Sequence, residues 1–172
     1  MCGLLASFNV DISDKRFDNA MDSLLNRGPD FNNTIKVNNN RLAHTRLSII
    51  DTKEESNQPF RSTNERYTII YNGEVFNFKD LRKKYKLRCR TNSDTEVVIE
   101  LFIKLGIDMI KLLNGMFAFI IFDHLTNEYF VGRDRYGIKP LFWTFYKTGI
   151  IYSSEIKPIL SLLGKKEPDE IA

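Results

Sequence analysis

The stretch MFAFIIFDHLTNEYFVGR, residues 116–133, carries the strongest structural signal in the sequence. Its first segment, 116–123, is apolar at nearly every position, which is typical of a strand covered on both faces. A polar segment, DHLTNE at 123–128, interrupts the pattern, and the aromatic and β-branched residues of 128–133 then resume it. So short a connection predicts an antiparallel hairpin.

The same reading extends outward along the chain. Further strands are predicted at 2–8, 41–50, 67–72, 141–146 and 149–155, with the last two joined by the short turn YKTG. Helices are predicted at 14–28, 93–106 and 108–115 from their apolar periodicity and from capping residues such as Ser93. Because helices and strands come in runs and do not alternate, we expect an α+β protein with mainly antiparallel sheets covered by helices.

Composition limits the classes of function. The 172 residues, 42% apolar and 27% charged, fit one globular domain. Two cysteines make no disulfide framework, and no apolar run approaches the roughly 20 residues that span a bilayer, so a cytoplasmic location and no membrane partner are expected. The basic stretch 79–90 could be a nucleic-acid patch. The spacing of Phe78, Leu81 and Tyr85 favours the solvent face of a helix instead, with no nucleic-acid partner.

Several polar residues interrupt apolar runs. They are Cys2 at the start, Arg46 within a strand-like segment, Asn72-Gly73-Glu74 after a buried-looking strand, and Asp94 at a helix start. Each has an ordinary structural interpretation: a small buried residue, an edge-strand arginine, a hairpin turn and a helix N-cap. Taken one at a time, these interpretations are the simpler ones.

Together the same residues match the needs of a site for a free amino acid that carries a side-chain amide. A guanidinium such as Arg46 can hold an α-carboxylate in a bidentate manner, and Glu74 with Asp94 can hold an α-ammonium. An Asn side chain and a backbone N–H, from Asn72 and Gly73, can stabilise an oxyanion, and Cys2 can attack the amide carbon. Their spacing alone does not bring them together.

Nine stretches resemble the class II glutamine amidotransferases, and within that class the glutaminase domain of asparagine synthetases. They cover nearly the whole chain in the family's order: MCG at 1–3, RGPD at 27–30, HTRLSIID at 44–51, QPF at 58–60, YNGEVFNF at 71–78, SDTE at 93–96, NGMFAFIIFD at 114–123, GRDRYGIKPLFW at 132–143 and SSEIKPIL at 153–160.

The resemblance implies an N-terminal nucleophile hydrolase fold, a four-layer αββα sandwich. It implies that Cys2 is the nucleophile once Met1 is removed, with its own α-amine as base. An α-amine of pKa about 8 and a thiol of pKa about 8.5 exchange a proton at little cost. His44 and His124 are matched to no general base.

The same resemblance implies the remaining roles in the site. Asn72 and the Gly73 N–H would form the oxyanion hole, Arg46 would bind the glutamine carboxylate, and Glu74 and Asp94 would bind its ammonium. The segment from Leu47 to Ile50 would line the side-chain amide. No metal site is expected.

The domain organisation follows from the same comparison. Residues 1–163 are predicted to form the glutaminase domain, and the polar, proline-bearing 164–172 to begin a linker to an ATP-dependent synthetase domain. The chain contains no Gly-Gly pair and no P-loop, so ATP and Mg²⁺ are expected only in that absent domain. The expected partners are L-glutamine and a synthetase domain in cis or in trans, with a homodimer as an option.

Three functional hypotheses stay open at this point. The first is a glutaminase that supplies ammonia to an asparagine-synthetase-type acceptor domain, or to an acceptor other than aspartate. The second is a sensor that binds glutamine without cleaving it, for which the thiol of Cys2 would be unnecessary. The third keeps the fold and hydrolyses another amide.

Overall fold

The computed structural model describes residues 1–164, and its helices and strands follow one another closely. They are β1 Gly3–Phe8, α1 Asp14–Asp22, β2 Phe31–Val37, β3 Asn40–Arg46, β4 Phe60–Arg61, β5 Tyr67–Val75, α2 Phe78–Lys84, α3 Asp94–Leu105, β6 Gly115–Asp123, β7 Tyr129–Arg133, β8 Phe142–Tyr146, β9 Gly149–Ser153 and α4 Ile156–Leu163. Short 3-10 turns occupy Glu54–Ser56 and Gly106–Leu112.

The strands described within residues 1–164 form two sheets. Sheet A has the order β2-β3-β1-β9-β8, and sheet B the order β4-β5-β6-β7. Every neighbouring pair is antiparallel, including the β6–β7 hairpin predicted from 116–133, in which Ala118 faces Arg133 and Phe122 faces Tyr129. The predicted antiparallel α+β class is therefore confirmed.

Three apolar clusters lie between the four layers of helices and sheets and hold them together. One cluster lies between the sheets, where Leu4 and Leu42 of sheet A meet Ile70 and Ile120 of sheet B. A second joins α1 and α4 to the outer face of sheet A, and a third joins α2 and α3 to the outer face of sheet B. Both sheets are thus covered on two faces, as their apolar strands predict, and the αββα sandwich is confirmed.

Two predicted helices differ from those observed. The helix predicted at 14–28 ends at Asp22, because the following turns pack on β3, where the Thr45 hydroxyl donates to the Leu24 carbonyl at 3.1 Å. A Cβ at Gly28 would meet the β3 backbone there. The helix predicted at 108–115 is instead the 3-10 turn Gly106–Leu112. The helix predicted at 93–106 forms as α3, and the Ser93 hydroxyl accepts from the Glu96 N–H at 3.3 Å.

Three elements, β2, β4 and α4, were not predicted from the sequence. β2 is a half-exposed edge strand whose residues, FNNTIKV, show no clean alternation. α4 contains Pro158, which lies in the first helical turn, where the missing N–H costs no hydrogen bond. The strand predicted at 41–50 is shorter than expected, since β3 ends at Arg46. The predicted linker, apart from Gly164, falls outside the described residues.

Candidate functional site

The polar residues of interest lie at one end of the space between the sheets. Successive side chains of a strand point to opposite faces, so Leu42, His44 and Arg46 share one face of β3. Ile70, Asn72 and Glu74 share one face of β5 in the same way. Leu42 and Ile70 belong to the apolar cluster between the sheets. Toward the end of either strand, the side chains that lie between the sheets therefore change from apolar to polar.

This polar end encloses a cavity of about 130 Å³. Pockets for drug-sized ligands run to roughly 300–1,000 Å³, so the space suits a small molecule. Its lining includes every site residue predicted from the sequence: Cys2, Arg46, Leu47, Ile50, Asn72, Gly73, Glu74 and Asp94. Residues separated by up to 92 positions in the chain therefore meet in one place.

Cys2 reaches the cavity from the residue just before β1. Its sulfur accepts a hydrogen bond from the Leu47 N–H at 3.4 Å, and its carbonyl accepts one from Arg27 Nε at 2.9 Å. Arg27 is itself paired with Glu155 at 3.1 Å. Burial raises the pKa of the Cys2 thiol, although the Leu47 N–H and the nearby cationic groups oppose the rise. A base beside the thiol would therefore be needed to form a thiolate near neutral pH.

Asn72 and Gly73 present two donors to the cavity. The Asn72 side chain is buried, and its Nδ2 has no hydrogen-bond partner within the described chain. The N–H groups of alternate strand residues point to the same sheet edge, and those of Tyr71 and Val75 point away from β6, to the Gln58 and Asp94 side chains. Gly73 lies between them, so its N–H faces the same open edge. A Cβ at Gly73 would lie 2.7 Å from Phe117 Cα, which leaves room only for glycine.

Asp94 stands at the start of α3 and is almost fully buried. Its carboxylate accepts from the Tyr71 hydroxyl at 2.7 Å, from the Val75 N–H at 3.0 Å and from the Thr95 N–H at 3.0 Å. Burial raises the pKa of Asp94 despite these donors, and it also raises the pKa of Tyr71 well above its ordinary value. Tyr71 therefore remains a protonated donor, and Asp94 keeps lone pairs that a bound cation can use.

Glu74 and Arg46 complete the polar lining. Glu74 is half-buried and lines the cavity, and its side chain forms no hydrogen bond or ion pair within residues 1–164. The buried Arg46 guanidinium donates to the carbonyls of Lys53 at 3.0 Å, Ile50 at 3.5 Å and Asp51, and to Asn57 Oδ1. Arg46 thus holds the loop after β3, and the segment from Leu47 to Ile50 forms the cavity wall beside it.

Sequence reasoning missed several residues of the lining. Gln58 and Lys139 lie within the quoted motifs QPF and GRDRYGIKPLFW but received no role, and both are almost fully buried. Lys139 Nζ lies 3.5 Å from the Met1 sulfur. Tyr71, Ser56 and Met116 also line the cavity. For Gln58 and Lys139 the available signal was a polar residue inside a motif that resembles the family.

Other structural findings concern features outside the cavity. The basic stretch 79–90 begins with α2, where Leu81 is buried and Phe78 and Tyr85 pack on the outer core of sheet B, so the predicted amphipathic helix is confirmed. In the described part of the chain no helix has the length and apolar character needed to cross a bilayer. Within the same residues, His, Cys, Asp and Glu side chains form no group of three suited to a metal ion.

Comparison with known sequences gives consistent matches. The profile of the family described as "Glutamine amidotransferase domain" matches residues 1–172. Asparagine synthetase [glutamine-hydrolyzing] 3 of Bacillus subtilis is 38% identical over 170 residues, which cover 94% of this chain and 28% of that protein. Putative asparagine synthetase [glutamine-hydrolyzing] 2 of Methanocaldococcus jannaschii is 34% identical over 189 residues, which cover 97% of this chain and 37% of that protein.

Comparison with solved structures supports the fold. The glutamine phosphoribosylpyrophosphate amidotransferase from B. subtilis, complexed with ADP and GMP, superimposes with a TM-score of 0.81 at 20% identity and covers 95% of this chain and 44% of its own. The chain therefore spans between about a quarter and a half of the lengths of these similar proteins.

Proposed function

This chain belongs to the class II glutamine amidotransferase family, in its asparagine-synthetase type, and we propose that it hydrolyses L-glutamine to glutamate and ammonia through a thioester on Cys2. The observation that carries the proposal is the buried Asn72 Nδ2. This donor lacks a partner within residues 1–164 and shares a cavity with the Cys2 thiol. A buried donor without an acceptor costs about 1–3 kcal/mol, a cost expected where a ligand or transition state supplies the acceptor.

The first half of the reaction forms the thioester. The α-amine of Cys2, freed by removal of Met1, takes the thiol proton, and the sulfur attacks the amide carbon of glutamine. The carbonyl oxygen becomes an oxyanion, which the Asn72 amide and the Gly73 N–H stabilise. The C–N bond then breaks, and the amine returns its proton to the leaving group, which departs as ammonia.

The second half releases glutamate. Water attacks the thioester carbon while the same amine takes a proton from it, and a second oxyanion forms against the same two donors. The C–S bond breaks, the thiolate regains a proton, and glutamate leaves. The amine serves as base in both halves, so the mechanism requires neither histidine of the chain as a base.

Charge complementarity supports glutamine over a simple amide. The α-ammonium of a free amino acid fits beside the unpaired Glu74 and the Asp94 carboxylate, and its α-carboxylate fits the Arg46 guanidinium. Leu47 and Ile50 would flank the side chain. Arg46 already donates to loop carbonyls, so we propose that its guanidinium N–H groups bind both that loop and the substrate carboxylate.

The wider setting is part of the same proposal. Ammonia would pass to an asparagine-synthetase-type acceptor domain, which would follow residues 164–172 or act in trans and would supply the ATP and Mg²⁺ chemistry. A cytoplasmic location agrees with the two free thiols, Cys2 and Cys89. A homodimer remains part of the proposal, to be tested by sedimentation.

The deciding experiment uses protein from which Met1 has been removed, verified by N-terminal mass spectrometry. Glutamate and ammonia release from glutamine are measured for this protein, for Cys2→Ala, and for Cys89→Ser as the matched thiol control. Loss of turnover is expected in Cys2→Ala alone. Glutamine binding without glutamate release, in protein with an intact thiol and a free α-amine, would support the sensor hypothesis and refute the proposal.

A further inference from the structure

Strand β5 lacks a strand partner on one side where it passes the cavity. β4 is two residues long and pairs only Phe60 with Ile69 and Arg61 with Thr68. From Tyr71 onward the edge of β5 that faces away from β6 must find other partners, because buried backbone groups left unpaired are costly. Asn72 and Gly73 lie on this segment, so whatever holds the edge also fixes the oxyanion donors.

Two side chains from different parts of the fold occupy this edge at Tyr71. His44 Nε2 lies 3.0 Å from the Tyr71 carbonyl oxygen, and Gln58 Oε1 accepts from the Tyr71 N–H at 2.6 Å. His44 comes from β3 in the opposite sheet. Gln58 comes from the loop before β4, and its Nε2 donates to Thr95 Oγ1 at 3.3 Å, which connects it to α3.

His44 is suited to act as a neutral donor. The Tyr71 carbonyl can only accept, so the proton lies on Nε2, and the buried Nδ1 has no partner within the described residues. Burial lowers the pKa of His44 to about 3, so the ring stays uncharged throughout the neutral range. No other ionisable group bonds to the ring within that part of the chain, and it does not line the cavity.

We propose that His44 and Gln58 are positioning residues that hold both backbone groups of Tyr71 and thereby aim the adjacent Asn72 amide and Gly73 N–H at the developing oxyanion. This inference rests on the proposed glutaminase function. It assigns neither residue a contact with the substrate's reacting atoms. Each acts through the backbone of β5, in the place that a longer β4 would otherwise fill.

The test compares His44→Leu, which removes the donor, with His44→Gln, which retains an N–H at a similar reach. Displacing catalytic groups by about 1 Å can cost 100-fold in rate, so we expect His44→Leu to lower kcat about 10- to 100-fold. KM for glutamine should change by less than about threefold, because the groups that bind the amino-acid end are untouched. His44→Gln should recover most of kcat.

Two thiol reagents separate positioning of the oxyanion hole from general damage. The open-chain form of L-glutamate γ-semialdehyde adds the Cys2 sulfur to its carbonyl carbon and forms a thiohemiacetal, whose oxygen needs the two donors. Iodoacetamide forms a C–S bond with loss of iodide and needs no oxyanion hole. His44→Leu should weaken semialdehyde binding by the same factor as kcat and leave the alkylation rate of Cys2 unchanged.

A second variant and a matched control complete the design. Gln58→Met removes the acceptor from the other backbone group of Tyr71 and should give the same pattern, which keeps the inference testable if His44→Leu does not fold. His124→Leu is the control, because His124 Nε2 lies 2.8 Å from the Thr68 hydroxyl on the same strand but away from the cavity. It should leave kcat and both reagents unaffected.

The outcomes distinguish the two proposals. If the unmutated protein hydrolyses glutamine while His44→Leu and Gln58→Met keep its kcat, the positioning inference is wrong and the proposed function stands. A parallel loss of kcat, semialdehyde binding and alkylation would also overturn it, since that pattern indicates general disruption. If the unmutated, Met1-free protein shows no turnover, the proposed function fails and this inference fails with it.

Discussion

The Tyr71 hydroxyl donates a 2.7 Å hydrogen bond to the Asp94 carboxylate and so joins strand β5 to the first turn of α3. The bond crosses from the centre of sheet B to its helical layer beside the cavity. It partly offsets the cost of burying Asp94, whose raised pKa reflects that burial. Burial raises the pKa of Asp94, and this structural contact opposes the rise at a carboxylate that is proposed to bind the substrate's ammonium.

Replacing this donor should change both stability and pH dependence. Tyr71→Phe leaves the buried carboxylate with one donor fewer, at a cost of about 1–3 kcal/mol in the free energy of unfolding. The raised pKa of Asp94 means that its protonated form is the one favoured by folding. The contribution of Asp94 to stability is therefore lost as pH rises from 3.8, the ordinary pKa of the group in the unfolded chain, through its higher pKa in the folded protein. Because the Tyr71 hydroxyl lowers the folded pKa, Tyr71→Phe should raise it and extend this loss to higher pH.

Substrate binding needs the ionised Asp94, so the acid limb of kcat/KM should move to higher pH in Tyr71→Phe. Thermal unfolding and a pH profile of kcat/KM measure the two effects. Tyr85→Phe, at a half-buried position where no hydroxyl bond is formed within residues 1–164, serves as the control. An acid limb at the same pH in both variants would contradict a role for Asp94 in binding the ammonium.

The two oxyanion donors should respond differently to substitution. Asn72→Ala should lower kcat by about 10²–10³ with little change in KM, as expected for a donor that acts only in the transition state. Its thermal stability should match or exceed that of the unmutated protein, because the lost amide nitrogen has no partner in the described structure. Kinetics and calorimetry on one preparation provide the measurement. A large loss of stability would indicate that Asn72 is a structural residue.

Gly73→Ala should lose stability as well as activity. Its Cβ would lie 2.7 Å from Phe117 Cα and 2.8 Å from Phe117 Cβ, so the strand must move away from β6. Overpacking of this kind costs about 1–3 kcal/mol. Thermal unfolding of Gly73→Ala beside Asn72→Ala gives the comparison, and equal stability of the two variants would show that the close approach at Gly73 is unimportant.

Arg46→Lys should mainly raise KM. Lysine keeps the charge but cannot hold a carboxylate and several loop carbonyls in one plane. Hydrogen bonds to charged groups contribute about 1.5–3 kcal/mol, which corresponds to about 10- to 100-fold in KM for glutamine. Steady-state kinetics measure the change. Arg66→Lys is the matched control, since Arg66 donates from Nε to Asp123 Oδ1 and from Nη2 to Asp123 Oδ2, away from the cavity. A KM equal in both variants would limit Arg46 to holding the loop.

Removal of Met1 should activate the Cys2 thiol. While Met1 is attached, the nitrogen of Cys2 is an amide and burial keeps the pKa of the thiol raised. Alkylation by iodoacetamide should then be slow near neutral pH. It should become faster only as pH rises above 9.0, the ordinary pKa from which burial raises this thiol. In the Met1-free protein the free amine can take the proton, and each unit of decrease in pKa raises the thiolate fraction about tenfold.

The rate constant for modification of Cys2 can be followed by peptide mass spectrometry in both forms. Cys89 is an internal reference, because it lies on the outer core of sheet B and burial raises its pKa to about 11. Its rate should be independent of Met1. Equal Cys2 rates in the two forms would argue against the α-amine as the base.

The sequence determined most of the local structure, but not every boundary. The two runs of strand-forming residues within 116–133, joined by a short polar segment, specified a hairpin, and the capping residue Ser93 specified a helix start, because both signals are local. The helix predicted at 14–28 was too long, since its last part is held by Thr45 of β3, a contact between distant segments. Strand β2 was not predicted. It lies at the edge of sheet A and is partly exposed, so its residues show little of the apolar pattern that indicates a strand.

The site residues Cys2, Arg46, Asn72, Gly73, Glu74 and Asp94 could be named from the sequence, chiefly through their resemblance to a family. Local pattern could not show that these residues meet. They lie at one end of the space between the sheets, and only the antiparallel pairing of distant strands places them there. Nor could local pattern find the bonds from His44 and Gln58 to Tyr71. Those bonds can form because β4 ends after two residues and leaves the edge of β5 open beside Tyr71. The arrangement exists only once both sheets have assembled.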